Sequence, residues 1–185
     1  MMTEISLNIL DIAENSIRAN ASLIRIEVLI DEDKDCLTIV IEDNGRGMSQ
    51  ELLHKSVDPF FTTRTSRKVG MGIPFFKLAA ESSGGEFAIR SEINKGTEIK
   101  AVFRLSHIDR MPLGDINSTI YTLIAFNADI DFVYIYSYNG KEFKLDTCEV
   151  KEILDGVPLN SPEILKYLKE YLDENKIEVD GGILL

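Results

Sequence analysis

The sequence has no tryptophan, and its 185 residues include only two cysteines and two histidines. Cys36 and Cys148 do not form a Cys-x-x-Cys pair, and His54 and His107 lie far apart without the spacing of metal ligands. A disulfide framework and a zinc centre are therefore disfavoured.

Long apolar runs are also missing. No stretch approaches the roughly 20 residues that cross a bilayer, and residues 1–10 do not join a cationic start to an apolar run, as a signal peptide does. Basic residues are few as well, with 20 Lys and Arg against 31 Asp and Glu, a net charge of −11. Such a surface repels phosphate backbones. We expect a cytoplasmic protein that binds neither membranes nor nucleic acid.

Hydrophobic residues make up 44% of the chain, enough to build a folded core. Residues 3–21 predict a helix with Thr3 as its N-cap, because isoleucines recur in it at helical spacing. Residues 23–30 and 37–42 alternate apolar and polar side chains and predict a hairpin. A helix opened by Pro74 and a second hairpin over 86–92 and 97–105 follow. Residues 1–105 therefore predict a unit of the α/β class, one sheet covered by helices on one face.

Residues 106–185 predict a small C-terminal α+β extension, made of a helix, a hairpin and a final helix. Asn139-Gly140 indicates a type I′ hairpin turn, and Ser161-Pro162-Glu163 is typical of a helix start. Asn20-Ala21-Ser22 and Asn127-Ala128-Asp129 each stand between a predicted helix and a hairpin, a similarity that we interpret as coincidence. The extension either presents a surface to a protein partner or merely enlarges the fold.

Four polar segments stand in order in residues 1–105. Asp11 and Asn15 lie one turn apart on the first helix, Asp43-Asn44-Gly45-Arg46-Gly47-Met48 follows the second strand, Asp58 to Lys68 forms a cationic loop, and Gly70-Met71-Gly72-Ile73 precedes a helix. Each segment alone is better explained as a solvated helix face or an ordinary loop. The ordered set, with Gly96-Thr97 in a later turn, favours nucleotide binding. No GxxxxGK[ST] motif is present, which excludes a P-loop.

This series resembles the N box, first glycine box, F box and second glycine box of the GHKL ATPases, over about residues 3–105. The flanking sequence is closest to the catalytic domain of sensor histidine kinases, and it is also similar to anti-sigma factor serine kinases. The resemblance implies the α+β two-layer sandwich of the Bergerat type, with ATP and Mg²⁺ as cofactors.

The resemblance also implies roles for particular residues. Asp43 would contact the adenine amine, Asn15 and Asp11 would hold Mg²⁺, and amides beside Gly70 and Gly72 would hold the phosphates, with Arg64 and Lys68 closing over them. The predicted nucleotide-binding set is Asn15, Asp43, Gly45, Gly47, Met48, Phe60, Thr63, Arg64, Lys68, Gly70, Met71, Gly72, Ile73 and Thr97.

Two departures from the family pattern concern catalysis. Relatives of the gyrase type carry Glu at the position of Asp11, and histidine kinases carry Asn. Asp11 is therefore either a general base or a second metal ligand. Pro74 stands where histidine kinases commonly have Gly, and proline offers no N–H to a phosphate.

The function that the sequence favours is a stand-alone kinase or slow ATPase that acts on a protein partner without a phosphoacceptor histidine of its own. The alternative is an ATP-sensing switch without catalysis, and the ATPase head of a gyrase-like or mismatch-repair-like machine is less favoured. Residues 106–185 are the predicted partner surface. Homodimerisation is left open.

Overall fold

The computed structural model describes residues 3–58 and 71–185. Its helices are α1 (Ile5–Arg18), α2 (Gln50–Ser56), α3 (Gly72–Ser82), α4 (Ile116–Phe126), α5 (Thr147–Leu154) and α6 (Pro162–Asp180). Its strands are β1 (Leu23–Asp31), β2 (Cys36–Asp43), β3 (Glu86–Glu92), β4 (Gly96–Arg104), β5 (Asp131–Tyr138) and β6 (Lys141–Asp146).

The strands form one mixed sheet in the order β3-β4-β2-β1-β5-β6. β1 and β5 run parallel, with Ile24 opposite Phe132, and the other neighbouring strands are antiparallel. The sheet thus continues from residues 1–105 into residues 106–185 through the β1–β5 pair.

The two helix–hairpin units are not copies of one another. β2 lies on one side of the β1–β5 pair and β6 on the other, although β1 and β5 point the same way and bury the same face. The unit α1-β1-β2 and the unit α4-β5-β6 therefore have opposite handedness, and no rotation can superpose one on the other. The arrangement agrees with interpreting the Asn-Ala-Ser and Asn-Ala-Asp similarity as coincidence.

The core lies between one face of the sheet and the helices, which confirms the predicted two-layer α+β fold. Alternate strand residues such as Ile26, Ile39 and Tyr134 are buried, and α3, α1, α4 and α6 pack side by side over them. Burying each such large apolar side chain contributes about 1.5–3 kcal/mol. Charged residues, including Arg25 and Lys100, alternate onto the opposite face.

The first helix is shorter than predicted and is capped differently. It begins at Ile5 with Glu4 as N-cap, and Glu4 makes no side-chain capping bond, so the predicted Thr3 cap is wrong. Instead, the amides of Ile5 and Ser6 donate to the carbonyls of Pro112 and Leu113, at 2.9 and 2.8 Å. The segment that joins the two regions therefore supplies the acceptors that a cap would offer.

The C-terminal elements follow their local sequence signals. The hairpin turns at Asn139-Gly140, where both φ angles are positive (48° and 84°), as a type I′ turn requires. α6 begins at Pro162 as predicted, and α5 was not predicted although Asp146 caps it by accepting from the Cys148 amide. In residues 3–58 and 71–185, no helix has both the length and the apolar character needed to cross a membrane.

Candidate functional site

Asp43 ends β2 as a buried carboxylate, with 8% of the residue exposed. Its Oδ2 accepts a hydrogen bond from the Ser16 hydroxyl at 2.6 Å, and its Oδ1 accepts from the Gly45 amide at 2.9 Å. Both donors are neutral, and no cation pairs with Asp43 in the described part of the chain. Each carboxylate oxygen keeps a lone pair for a further donor.

The loop after Asp43 is held between the end of α1 and the β3–β4 turn. The Arg46 amide donates to the Ala19 carbonyl at 2.9 Å, and the Arg46 carbonyl accepts from the Asn94 amide at 2.8 Å. A Cβ at Gly47, whose φ is +63°, would lie 1.9 Å from the Glu92 carbonyl oxygen. Only glycine fits there, because both the backbone conformation and the space exclude a side chain.

Thr97 and Met48 are joined through Ser91. The Ser91 hydroxyl accepts from the Met48 amide at 2.8 Å, lies 2.9 Å from the Thr97 hydroxyl and 2.9 Å from the Gly96 carbonyl oxygen. Thr97 is also the register partner of Asp43. Sequence reasoning missed Ser91. Its only signal was a polar residue at an inward position of β3, after Phe87 and Ile89.

Asn15 lies beside Ser16 on α1, so that one helix turn carries both the predicted metal ligand and the support for Asp43. The Asn15 Oδ1 accepts from Arg18 Nη1 at 3.0 Å, and Arg18 also pairs with Glu14. Arg18 was not predicted as a site residue. Its spacing, one turn after Asn15, was the available signal.

Asp11 lies at the junction of α1 and α3. A Cβ at Gly72 would lie 2.1 Å from the Asp11 Oδ2, so the carboxylate rests against the first residue of α3. The first amides of a helix have no partner within that helix, which makes this end of α3 suited to an anion. Met71 is the N-cap of α3, and Ile73 is half-buried in its first turn.

α3 begins at Gly72, two residues before the start predicted at Pro74. Pro74 is therefore the third helical residue and removes one of the first amides from the anion-binding end.

Five residues of the predicted set lie outside the described residues, and the structure says nothing of them: Phe60, Thr63, Arg64, Lys68 and Gly70. The other predicted site residues lie in two places. The end of β2, the loop after it and the adjacent strand carry Asp43, Gly45, Gly47, Met48 and Thr97, and the α1–α3 junction carries Asp11, Met71, Gly72 and Ile73. Asn15 lies on α1 between these places, next to Ser16, which was not predicted.

The side-chain oxygens at these places are of the kind that binds a hard metal ion accompanying a nucleotide. Carboxylate and carboxamide oxygens, as offered by Asp11 and Asn15, are ligands that Mg²⁺ takes, and it usually takes only one or two from protein in such sites. Within the described residues, no three His, Cys, Asp or Glu side chains are grouped to hold a metal by themselves.

A second buried carboxylate, Asp180, lies at the end of α6 in a different environment. It pairs with Lys176 and accepts from the Tyr136 hydroxyl at 2.7 Å and from the Gly182 amide at 2.8 Å. Burial works to raise the pKa of Asp180, but these hydrogen bonds and the Lys176 charge hold that pKa below its usual value. Burial, and then the bond to Asp180, raise the pKa of Tyr136.

Comparisons with known proteins identify the family of the chain. Residues 3–107 match the family described as histidine kinase-, DNA gyrase B-, and HSP90-like ATPase. A protein of Rickettsia conorii named as an NtrY-like sensor histidine kinase is 32% identical over 108 residues, which are 58% of this chain and 18% of the relative. The C4-dicarboxylate transport sensor protein DctB of Pseudomonas aeruginosa is 29% identical over 106 residues, 57% of this chain and 17% of DctB. The chain thus spans less than a fifth of the length of these relatives.

Solved structures share the fold at low sequence identity. The MutL ATPase domain of Aquifex aeolicus, complexed with ADP, has a TM-score of 0.52 at 16% identity, covering 84% of this chain and 70% of that one. The N-terminal domain of a DNA repair protein has a TM-score of 0.54 at 18% identity, covering 78% of this chain and 53% of that one. Because both likenesses extend beyond residue 107, the shared fold includes part of the C-terminal region.

Proposed function

The chain belongs to the family of histidine kinase-, DNA gyrase B-, and HSP90-like ATPases, and from this premise we propose that it binds Mg-ATP and acts as a kinase or slow ATPase on a protein partner. The adenine would contact Asp43, and the phosphates would lie between α1 and the start of α3. Its net charge of −11 disfavours a nucleic-acid partner.

The observation that carries the proposal is the unusual state of Asp43. A carboxylate removed from water is costly unless a cation or several donors stabilise it. Among the described residues Asp43 has only the Ser16 hydroxyl and the Gly45 amide as donors, and both are neutral. An exocyclic amine would supply the missing donor.

Asp11 is the residue that we propose for proton transfer. Its carboxylate would accept the proton of the water or hydroxyl that attacks the γ-phosphorus, because it stands at the anion-binding end of α3. Bound Mg²⁺ would offset the phosphate charge, held by Asn15 and, in the alternative role, by Asp11. Arg18 can release Asn15 because Glu14 offers it another partner.

Phosphoryl transfer to a histidine of this chain is not part of the proposal. His54 is exposed on the short helix α2, and the His107 Nδ1 accepts from the Asp109 amide at 3.2 Å in the segment that follows β4. Neither lies on a helix of the kind that presents a phosphoacceptor in histidine kinases. The acceptor would belong to the partner or be water.

Isothermal titration with Mg-ATP tests the adenine contact. Asp43→Asn should weaken binding about tenfold to a hundredfold, as expected when a hydrogen bond to a charged group is lost. Glu42→Gln, which removes the same charge from the exposed neighbouring position on β2, should bind as wild type does. Equal affinity in wild type and Asp43→Asn would refute the adenine site.

Phosphate release, followed on the same samples, tests Asp11. Asp11→Asn should keep ATP affinity but lose turnover by a factor of about 10²–10⁴ if Asp11 is the general base. Unchanged turnover would refute that role. A parallel loss of Mg²⁺-dependent ATP affinity would instead assign Asp11 to the metal.

An ATP-sensing switch without catalysis is the second candidate. It is supported by Pro74, which removes one amide from the anion-binding end of α3, and by the hydrogen bond that occupies Asn15. Tight Mg-ATP binding without phosphate release, with or without a partner, would favour the switch over the enzyme.

A further inference from the structure

A cavity of about 550 Å³ lies in the C-terminal region, away from the Asp43 site. Its walls come from the end of α4, the start of β5 and the connection between α5 and α6, and the lining includes Phe126, Asp129, Lys151, Val157, Pro158 and Asn160. The buried Leu159 also lines it and packs in the core, so the cavity is anchored to a fixed part of the fold. Its size suits one long side chain or a small ligand.

The mouth of the cavity exposes apolar groups. Phe126 is 83% exposed and Val157 is 49% exposed, although burial of either would be favourable. Phe126 is the last residue of α4, and a solvent-exposed aromatic ring beside a cavity is typical of a surface that a partner covers. The exposed ring offers a flat face for a long side chain to lie against.

The charged groups of the cavity leave a carboxylate unpaired and a lysine paired. Asp129 is exposed and has no hydrogen bond or ion pair within the described residues, and the exposed Asp155 precedes the lining residue Gly156. Lys151, the only cation among the described residues that line the cavity, is already held by Asp131 at 2.7 Å and by the Ile130 carbonyl at 3.3 Å. These described residues therefore offer an unpaired negative charge and no unpaired positive charge.

The surrounding region has the same sign. Residues 106–185 contain 15 acidic and 7 basic residues, a net charge of −8, whereas residues 1–105 contain 16 and 13, a net charge of −3. Most of the excess negative charge thus belongs to residues 106–185, the region that contains this cavity. A cationic occupant gains from both the local carboxylates and the regional field.

The cavity lies at the same end of the sheet as Asp43. The Asp131 amide donates to the Ser22 carbonyl at 2.9 Å, and the Asn44 side chain accepts from the amides of Ser22 and Leu23 at 2.9 and 3.0 Å. A protein held at the cavity would therefore extend along the edge where the nucleotide is expected.

We propose that this cavity binds a lysine or arginine side chain of a basic segment of the partner protein. The aliphatic stem lies against Phe126 and Val157, and the cationic head reaches Asp129 and the amide oxygen of Asn160. The inference rests on the proposed function, because a protein that acts on a partner needs a surface that holds it.

Amide chemical shifts of the ¹⁵N-labelled full chain test the proposal with three capped peptides, Ac-Ala-Arg-Leu-Ala-NH₂, Ac-Ala-Lys-Leu-Ala-NH₂ and the neutral Ac-Ala-Gln-Leu-Ala-NH₂. The two cationic peptides should shift the amides of Ala128, Ile130 and Leu159 saturably, and the neutral peptide should bind about threefold to tenfold more weakly. No saturable shift at these amides, or equal affinity for the neutral peptide, would overturn the proposal.

Two exposed variants sharpen the result. Asp129→Asn should weaken the arginine peptide about threefold to tenfold, whereas Glu174→Gln, which removes the same charge from the exposed face of α6, should leave it unchanged. Equal losses in both variants would indicate a regional field without a site and would overturn the proposal. Shifts at the same amides that depend on protein concentration alone would identify a second copy of this chain as the occupant, with the same consequence.

Mg-ATP titrations of the same samples separate the two hypotheses. ATP binding without cationic-peptide binding would overturn the docking site and leave the proposed function. Peptide binding by a chain that binds no adenine nucleotide would refute the proposed function and leave the cavity as a site for basic segments.

Discussion

Each region of this molecule buries one carboxylate, and the two are stabilised in opposite ways. Asp43 in residues 1–105 has two neutral donors, whereas Asp180 in residues 106–185 has Lys176, the Tyr136 hydroxyl and the Gly182 amide. Within the described residues these are the only buried charged side chains. Asp43 can therefore accept a further hydrogen bond from a ligand, whereas the charge and hydrogen bonds of Asp180 are satisfied within the fold.

The surroundings of the two carboxylates agree with that division. Asp43 has only neutral donors around it among the described residues, whereas Asp180 lies one turn after Lys176, whose ammonium also lies 5.2 Å from the centre of the Tyr136 ring. A buried polar network that is fully satisfied orders the structure, and one that is incomplete points to something not yet bound. Substitutions around each carboxylate can therefore distinguish a ligand-binding group from a structural one.

Lys176→Met should lower the free energy of unfolding by about 3–5 kcal/mol, because it leaves Asp180 buried without its cation. Lys169→Met, on the exposed face of the same helix, should change it by no more than about 0.5 kcal/mol. Urea unfolding measures both. Mg-ATP affinity should be the same in both folded variants, and a selective loss in Lys176→Met would contradict a purely structural role for Asp180.

Gly47→Ala should destabilise the protein by roughly 2–3 kcal/mol, because the methyl group adds a backbone clash to the strain of a positive φ. Gly140→Ala has a positive φ but open space around it, so its cost should be only about 1 kcal/mol. Thermal unfolding compares the pair. Equal losses of stability in the two variants would mean that the loop around Gly47 can move to accept the methyl group and is not held by the β3–β4 turn.

Acid should reduce the advantage that Asp180 provides. Its folded-state pKa is held below the ordinary value, so its contribution is complete above about pH 4 and is lost as the pH falls through the folded pKa. The stability difference between wild type and Asp180→Asn should therefore narrow between pH 6 and pH 3, by no more than about 1.3 kcal/mol because pH 3 is only about one unit below the ordinary carboxyl pKa. Unfolding curves at both pH values measure it. A difference that stays constant would show that the bonds to Asp180 do not depend on its charge.

Ser16→Ala should cost about 1 kcal/mol of stability by removing a donor to Asp43, and it should weaken Mg-ATP binding about threefold to tenfold. Ser118→Ala removes a serine–aspartate hydrogen bond from the exposed start of α4, and it should leave ATP affinity unchanged. Calorimetry of the two variants tests whether Ser16 serves the site or only the fold. Unchanged affinity in both would assign Ser16 to the fold.

Local signals in the sequence were sufficient for most of the fold. The hairpins were predicted because side chains alternate and Asn139-Gly140 favours positive φ, and the final helix because Ser161-Pro162 is typical of a helix start. The first helix was predicted too long and with the wrong cap, because its amides bond to a segment more than 100 residues away. Helix α5 was missed although Asp146 caps it.

The candidate site was predicted in outline. Asp11, Asn15, Asp43 and the glycines were predicted because their order resembles that of a known family, and their place in a nucleotide site stays a prediction. Ser91, Arg18 and the Ser16 bond to Asp43 were missed, because serine and arginine at helix and strand positions are common and only their spatial neighbours distinguish them.

The sequence alone was enough to predict most of the helices and strands, the family and the ordered polar motifs, since these depend on side-chain periodicity and on residues close together in the chain. The tertiary structure was needed to show that residues 106–185 continue the sheet through the parallel β1–β5 pair, and that Asp180 is paired with a cation whereas Asp43 has none among the described residues. It was also needed to place a cavity at the end of the sheet where Asp43 lies. These features depend on contacts between residues about 30 to 110 positions apart, and no local pattern specifies which distant groups will meet.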